Sequence, residues 1–204
     1  MTTTTPTIWT KATGCTSYGL TDGATITPDA SAQNEGWVQL SGNRTLGVPS
    51  NLTAGKRQRF TVDVLQDSTG SRTLAYAWIY SWAGGSAGTL STTALSRDKL
   101  FGDVAYYNTS TVTITIATPG VVSWTAHGLR SGDKLQLTTS GALPTGLTAS
   151  TTYFVIYNDA NSFWLATSLA NAAAGTKIAT SGSQSGTHTA VAGAIDLSLN
   201  KAFA

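Results

Sequence analysis

The sequence of 204 residues has few charged side chains, one cysteine and no long apolar run. Charged residues make up 11% of the chain, whereas they form about a quarter of an average soluble domain. A surface of hydroxyl and amide side chains is weakly hydrated compared with a charged one, and it packs against neighbouring molecules at low desolvation cost. The shortage of charge therefore favours a protein that works in an assembly.

Other absences exclude further classes of protein. The single cysteine, Cys15, excludes a disulfide within the chain, so the fold does not depend on an oxidising compartment. No basic segment followed by an apolar stretch opens the sequence, and no apolar run reaches about 18 residues. We therefore predict neither a standard secretion signal nor a membrane span. The basic run Lys56-Arg57-Gln58-Arg59 is too short to predict nucleic-acid binding and indicates a solvated loop or an interface patch.

Patterns that carry catalysis or bind metals are also lacking. The acidic residues are scattered at turns, where Asp side chains usually bind their own backbone. His127 and His188 have no partner ligand at metal-binding spacing. Gly84-Gly85-Ser86-Ala87-Gly88 matches the pattern of a nucleophile elbow without the strand and helix that such an elbow needs. We predict no enzyme activity, no catalytic residues, no cofactor and no metal.

Short segments that alternate apolar and polar residues make up most of the chain, with turn residues at intervals of roughly ten positions. Phe60, Val62 and Val64, for example, share one face of an extended segment. The stretch Gln66 to Leu74 follows as a turn, which predicts a central β-hairpin. The pattern indicates an all-β sandwich or barrel, with one short helix in the Ala-rich segment from Ser168 to Ala174.

Several motifs between residues 20 and 107 resemble a β module that recurs in virion proteins of tailed bacteriophages, commonly tail-fibre, head-fibre or minor capsid proteins. The motifs are Asp22-Gly23-Ala24-Thr25-Ile26-Thr27-Pro28-Asp29, Gly42-Asn43-Arg44-Thr45-Leu46, Pro49-x-Asn51-Leu52, Gly55, Gln66-Asp67-x-Thr69-Gly70-Ser71-Arg72-Thr73-Leu74, Gly84-Gly85 and Thr89-Leu90-Ser91-Thr92. The resemblance implies a structural role in a virion and no enzyme activity.

The second half of the chain, residues 111–192, looks like a small β module of phage structural proteins, marked by the turn His127-Gly128-Leu129-x-x-Gly132-Asp133. It interrupts the final hairpin of the first module between Asn108 and Gly193, where two neighbouring strands bring the ends of an insertion together. We predict an extended N-terminal arm (1–19), a sandwich or jelly-roll-like main domain (20–110 and 193–204) and an inserted small β-barrel or sandwich (111–192).

These observations predict a structural protein on the outside of a tailed-phage virion, assembled in the bacterial host cytoplasm. We expect an oligomeric capsid-decoration or head-fibre-like protein that stabilises or ornaments the particle. Its expected partners are other copies of itself, the major capsid protein or other virion proteins, and a homotrimer is expected from family analogy alone. The Thr-rich arm is expected to clamp neighbouring subunits, with Pro6, Ile8 and Trp9 as the candidate contacts.

An alternative function follows from the aromatic residues Trp78, Tyr80 and Trp82. They recur at every second position, so an extended chain would place them on one face, where they could stack on a sugar. That arrangement would make the protein a tail-fibre or receptor-binding module that contacts a glycan on the host surface. The competing interpretation places the same face in the core or in a subunit contact, because aromatic residues at this period are usually buried.

Overall fold

The computed structural model describes residues 17–31 and 35–203, and these residues form mainly β-strands. The strands are β1 (Ser17–Gly19), β2 (Thr25–Ile26), β3 (Glu35–Leu40), β4 (Arg44–Leu46), β5 (Arg59–Gln66), β6 (Leu74–Tyr76), β7 (Tyr80–Trp82), β8 (Arg97–Ile114), β9 (Val121–Ser123), β10 (Lys134–Thr139), β11 (Thr152–Asp159), β12 (Ser162–Ala166) and β13 (His188–Phe203). A 3₁₀ turn spans Ala83–Gly85, and the helix α1 spans Leu169–Ala173.

The first six strands wind into a parallel coil. Odd-numbered strands stack side by side in the order β1-β3-β5, and even-numbered strands stack in a separate sheet in the order β2-β4-β6. Every neighbouring pair among them is parallel. Each parallel connection is made by crossing to the opposite sheet and back, as in a β-solenoid. We call β1 to β6 the coil. The last part of the predicted arm, residues 17–19, therefore belongs to the coil as β1.

One hydrophobic core lies between the two sheets of the coil. It contains inward side chains of the larger sheet, such as Val38, Val62 and Leu100, and side chains of the smaller sheet, such as Ile26 and Leu46. The prediction of an all-β fold with facing sheets is confirmed. The connectivity is that of a solenoid, however, because strands of a jelly roll pair antiparallel whereas these pair in parallel.

The predicted central hairpin is wrong. The strand β5 pairs with β3 and β8, whereas β6 pairs with β4 in the other sheet, so residues 66–74 carry the chain between sheets. The turn itself has the predicted chemistry, since Asp67 Oδ1 accepts the N–H groups of Thr69 and Gly70 at 3.0 and 2.9 Å. Asp67 Oδ2 accepts from Arg72 Nη2 at 2.7 Å. Alternation of side chains specifies the buried face of a strand but not its partner.

Six of the remaining seven strands close into an antiparallel barrel, and β7 pairs in parallel with β13 outside it. Hydrogen-bonded neighbours run β8-β9-β12-β11-β10-β13, and β13 returns to β8, with every pair antiparallel. A second core fills the barrel, with Leu135, Val155 and Phe163 fully buried. We call this six-strand ring the barrel. Closure leaves its strands without free edges.

Two long strands join the coil to the barrel. The strands β8 and β13 pair with each other from His188 opposite Val112 to Phe203 opposite Arg97. Their barrel ends belong to the second core, and their other ends extend the larger sheet of the coil beside β5 and β7. At the crossing point Gly193 lies against Ile79, where an added Cβ would come within 2.8 Å of Ile79 Cδ1. A side chain at this position would separate the two units.

Candidate functional site: an assembly surface and a junction cleft

The outer face of the larger sheet is uncovered by other described strands. Side chains on β3, β5, β8 and β13 alternate between the core and this face. The strand registers place the outward residues in cross-strand rows: Gln39-Leu65-Arg97, Trp37-Asp63-Lys99-Asn200, Glu35-Thr61-Phe101-Ser198 and Arg59-Asp103-Asp196. We call these four rows the outer face.

Two aromatic residues are exposed on the outer face. Trp37 is 48% exposed and Phe101 is 37% exposed, and they lie in adjacent rows on strands separated by β5. Large aromatic side chains of this kind are enriched at protein–protein contacts. The sequence analysis did not identify these two residues. The alternation of apolar and polar residues in β3 does place Trp37 on the same outward face as Gln39.

Charges on the outer face neutralise each other. Lys99 Nζ contacts the carboxylate of Glu35 and lies 3.3 Å from Asp63 Oδ1, and Arg97 lies 3.9 Å from Asp63 on the other side. The hydrogen bond from Lys99 to Glu35 raises the pKa of the Lys99 ammonium. In the last row Asp103 binds Arg59 at 3.1 Å and Arg57 at 3.4 Å. Because every charge named here is paired, a partner can cover this part of the face without isolating an ion; Asp196, in the last row, is the one outer-face charge without an ion pair among the described residues.

The middle of the outer face is concave. A depression of about 720 Å³ lies where Arg59, Thr61, Phe101 and Asp196 surround Gly102. Gly102 lacks a side chain because the ring of Phe60 lies over it from the core side, and an added Cβ would come within 2.4 Å of that ring. The glycine thus leaves room on the core side of β8 for the ring of Phe60.

A second concave region lies at the junction between coil and barrel. This junction cleft measures about 560 Å³ and has three walls: residues 55–57 of the coil, residues 105–108 of β8, and the barrel turn 127–133. Lys56, Arg57 and Arg130 all line it. One carboxylate, Asp133, also lines the cleft and interacts electrostatically with Arg130. Among the described residues Lys56 and Arg130 have no carboxylate within ion-pair distance, so the cleft lining carries a net positive charge.

His127 shapes the wall of the junction cleft and does not offer a free nitrogen. Its Nε2 contacts the carbonyl oxygen of Asp159 at 2.8 Å, and its Nδ1 accepts the N–H of Leu129 at 2.9 Å. The ring is 2% exposed and packs edge-on against Phe163. Both nitrogens are therefore used within the barrel, as expected for a residue that orders its turn.

Lys134 fastens the barrel to the coil. Its Nζ donates to the carbonyl oxygens of Trp78 and Tyr80 at 3.0 Å each and to Ser81 Oγ at 2.9 Å. Burial lowers the pKa of the Lys134 ammonium. On the barrel side, the N–H of Lys134 donates to the hydroxyl of Tyr106 at 2.6 Å. These contacts fix β7 against β10 and hold the cleft walls in place.

The three aromatic residues proposed for glycan stacking do not share an exposed face. Trp78 lies in the turn before β7, Tyr80 is 7% exposed in the coil core, and Trp82 packs against Tyr76 with ring centroids 4.9 Å apart. The Tyr80 hydroxyl donates to the carbonyl oxygen of Gly47 at 2.8 Å. Tyr80 and Trp82 therefore contribute to the coil core and not to a stacking platform.

The other predicted features are accounted for as follows. The arm candidates Pro6, Ile8 and Trp9 lie outside the described residues. His188 contacts Thr139 Oγ1 and Gln184 Oε1 at 2.8 and 3.1 Å.

No group of three potential metal ligands occurs within residues 17–31 and 35–203. The same ranges contain no helix of the length and apolarity that a membrane crossing requires.

Comparison with known proteins yields few matches. No protein-family model matches the sequence, and no curated protein matches it either. Among solved structures, the phage phi92 endosialidase is similar over 52% of this chain, with a TM-score of 0.29 and 20% sequence identity. The similar region covers 15% of the endosialidase chain, so this chain spans a small part of that protein's length.

Proposed function

We propose that the protein is a structural component on the outside of a tailed-phage particle, an oligomeric capsid-decoration or head-fibre-like protein that binds other copies of itself and neighbouring virion proteins. The observation that carries the proposal is the outer face, which combines exposed Trp37 and Phe101 with charges that are already paired. The resemblance of residues 20–107 to a phage virion module supplies the setting. Assembly as a trimer is part of the proposal.

The chemistry of the acidic residues supports a role without catalysis. Asp29, Asp67 and Asp159 each accept a backbone N–H two residues ahead. The pKa of each carboxyl group is lowered, mainly by the side chain of Asn51 at Asp29, by that of Arg72 at Asp67 and by the Asn161 N–H at Asp159. Such carboxylates are committed to turn structure and stay ionised at neutral pH. We therefore propose that the protein carries out no reaction.

The outer face is tested by measuring oligomeric state. Light scattering after size-exclusion chromatography should show an oligomer for the full chain. The double variant Trp37→Ser, Phe101→Ser should associate at least about tenfold more weakly, because truncating an interface aromatic commonly costs 1 kcal/mol or more. Ile116→Ser is the matched control, since Ile116 is 47% exposed away from this face. A monomeric wild-type chain at ~100 µM would contradict self-assembly.

Position on the particle is tested separately. A density label on the C-terminus, imaged on intact particles by electron microscopy, should lie on the outside of the head. A label at the distal end of the tail would contradict a decoration role and favour the receptor-binding alternative. Absence of label from purified particles would contradict any virion role.

The receptor-binding alternative is favoured by a different site from the one that the sequence indicated. The junction cleft offers Lys56, Arg57 and Arg130 around a floor that includes Tyr107, an arrangement suited to an acidic sugar. Calorimetric titration with carboxylated oligosaccharides should show salt-dependent binding that the double variant Lys56→Glu, Arg130→Glu removes. Equal binding by the variant would exclude the cleft as the sugar site.

A further inference from the structure

The smaller sheet of the coil ends in an open edge. Its strand order is β2-β4-β6, and no described strand lies beyond β6. Hydrogen bonds to β4 use Thr73 and Ala77, because the N–H of Arg44 donates to the Thr73 carbonyl at 3.0 Å and the N–H of Ala77 donates to the Leu46 carbonyl at 2.9 Å. Alternate residues of a parallel strand point their backbone groups to opposite sides. Leu74 and Tyr76 therefore direct their N–H and C=O groups to the open side.

Those backbone groups have no hydrogen-bond partner among the described residues. The open edge faces a groove of about 540 Å³ between residues 72–76 and residues 87–92. The Tyr76 hydroxyl donates to the carbonyl oxygen of Gly88 at 3.1 Å, and the N–H of Ser71 donates to that of Thr92 at 2.8 Å. Leu74 and Leu90 form part of the lining between these two bonds. The groove thus lies along the unpaired edge of β6, between that edge and residues 87–92.

An unpaired strand edge beside an apolar groove is suited to an extended peptide. The peptide adds a strand through main-chain hydrogen bonds, and alternate side chains enter the groove. Single sugars or small ions would leave the row of backbone groups on β6 unsatisfied. The geometry therefore selects a polypeptide segment with a high preference for extended backbone as the ligand.

The chain contains such a segment before β1. Residues 1–16 include Thr2-Thr3-Thr4-Thr5, Pro6, Ile8 and Trp9; β-branched Thr and Ile favour extended backbone, and Ile8 and Trp9 supply large apolar side chains. This segment enters the coil at β1, whereas β6 is the last strand wound on the opposite end of the stack. Sixteen extended residues reach on the order of 50 Å, which is enough to span to a neighbouring molecule.

We propose that the open edge of β6 binds the N-terminal segment, residues 1–16, of a second copy of this chain as an added strand. Donor and acceptor are different surfaces, so the contact is head-to-tail, and three such contacts can close into a ring. The inference rests on the proposed self-assembly but uses a site separate from the outer face. Loss of one contact can therefore be distinguished from loss of the other.

Disulfide trapping between two full-length chains tests the proposal. Both chains carry Cys15→Ser; one also carries Ile8→Cys, and the other carries Ala87→Cys, an exposed position in the groove. After the two are mixed and oxidised, a heterodimer should form at least about tenfold faster than in a control mixture with Ala173→Cys. Ala173 is an exposed alanine at the end of α1 in the barrel half of the chain.

Each outcome is decisive. Equal trapping of Ala87→Cys and Ala173→Cys would overturn the proposal. A chain carrying Ile8→Cys and Ala87→Cys together that closes only on itself, shown by mass spectrometry, would also overturn it by assigning the groove to the same molecule. Light scattering on the same samples distinguishes failure of this proposal from failure of the proposed self-assembly. If an oligomer is present but no disulfide is trapped, the outer face is the contact that holds it together.

Discussion

The coil and the barrel differ in whether strands that are consecutive in sequence pair with each other. In the coil, Trp37 pairs with Asp63 and Arg44 pairs with Leu74, so each strand finds a partner only after the chain has crossed to the other sheet and returned. In the barrel, β8–β9, β10–β11 and β11–β12 join consecutive strands, whereas β9–β12, β10–β13 and β8–β13 join strands far apart in sequence. Pairing of consecutive strands forms with little loss of chain entropy. The strands β1 to β6 include no such pair, so the coil depends more on contacts between its successive turns.

Side chains supply those contacts at the corners of the coil. Asp22 accepts Arg44 Nε at 2.6 Å and the N–H of Ser41 at 3.0 Å, and the bond with Arg44 lowers the pKa of Asp22 well below its usual range. Gln58 Nε2 donates to the carbonyl oxygens of Ala30 and Asn51 at 2.7 and 3.0 Å. The bonds to Asp22 and from Gln58 to Ala30 join successive turns of the coil outside the strands, whereas the bond from Gln58 to Asn51 lies within the connection from β4 to β5.

The largest expected effect tests whether the two cores are separate. Phe163→Ala removes a fully buried ring from the barrel core and should lower the free energy of unfolding by about 3–5 kcal/mol. Hydrogen exchange followed by mass spectrometry should show lost protection in β11 and β12, with β3 and β5 unchanged. The matched variant Leu40→Ala, in the coil core, should give the reverse pattern. Equal loss everywhere would show that the cores unfold as one unit.

The same contrast explains what the sequence could reveal of the fold. The turn residues Asn158 to Asn161 between the apolar segments Tyr153 to Tyr157 and Phe163 to Leu165 predict a hairpin, and these two segments form β11 and β12. The predicted Ala-rich helix is confirmed as α1, whose first N–H groups are capped by Ser168. Local propensity and turn chemistry suffice there, because partners are neighbours in sequence. The parallel pairings of the coil leave no such local signal.

The candidate surfaces could not be predicted from the sequence either, because they also depend on strands that are distant in sequence. Trp37 and Phe101 share the outer face only because two successive registers, Trp37 with Asp63 and Asp63 with Lys99, align three strands distant in sequence. The basic run at Lys56 could be found from the sequence. Its convergence with Arg130 depends on how the coil and the barrel meet. The face of the strand on which each side chain lies was therefore predictable from the sequence, whereas the strands that pair with it were not.

A smaller effect tests the joint between the two units. Lys134→Met leaves the carbonyl oxygens of Trp78 and Tyr80 without their donor, which should cost about 1–3 kcal/mol in chemical denaturation. Exchange should increase first in β7, because Lys134 holds that strand against the barrel. Lys56→Met is the control, since Lys56 is exposed. An unchanged exchange rate in β7 would show that β13 alone holds it.

The smallest expected effect is a loss of stability at alkaline pH, which should begin in the coil because buried tyrosines lie there. Burial raises the pKa of Tyr76 to about 12 and raises that of Tyr80 as well. In the unfolded chain both phenols titrate near 10, as free tyrosine does. Their contribution to stability is therefore complete below pH 10 and is lost as the pH rises from 10 towards 12.

The loss at Tyr76 should be on the order of 1–2 kcal/mol, because partial solvent access weakens the full linkage effect. Unfolding free energy measured from pH 9 to 11.5 should fall, and exchange in the coil should increase. The variant Tyr76→Phe should flatten the pH slope while it loses the hydrogen bond to Gly88. If Tyr76→Phe keeps the wild-type slope, the alkaline loss belongs to Tyr80 in the coil core or to the junction, where burial also raises the pKa of Tyr106. The variant Tyr106→Phe separates these two sources, because it flattens the slope only if the junction is the part of the molecule that yields first to base.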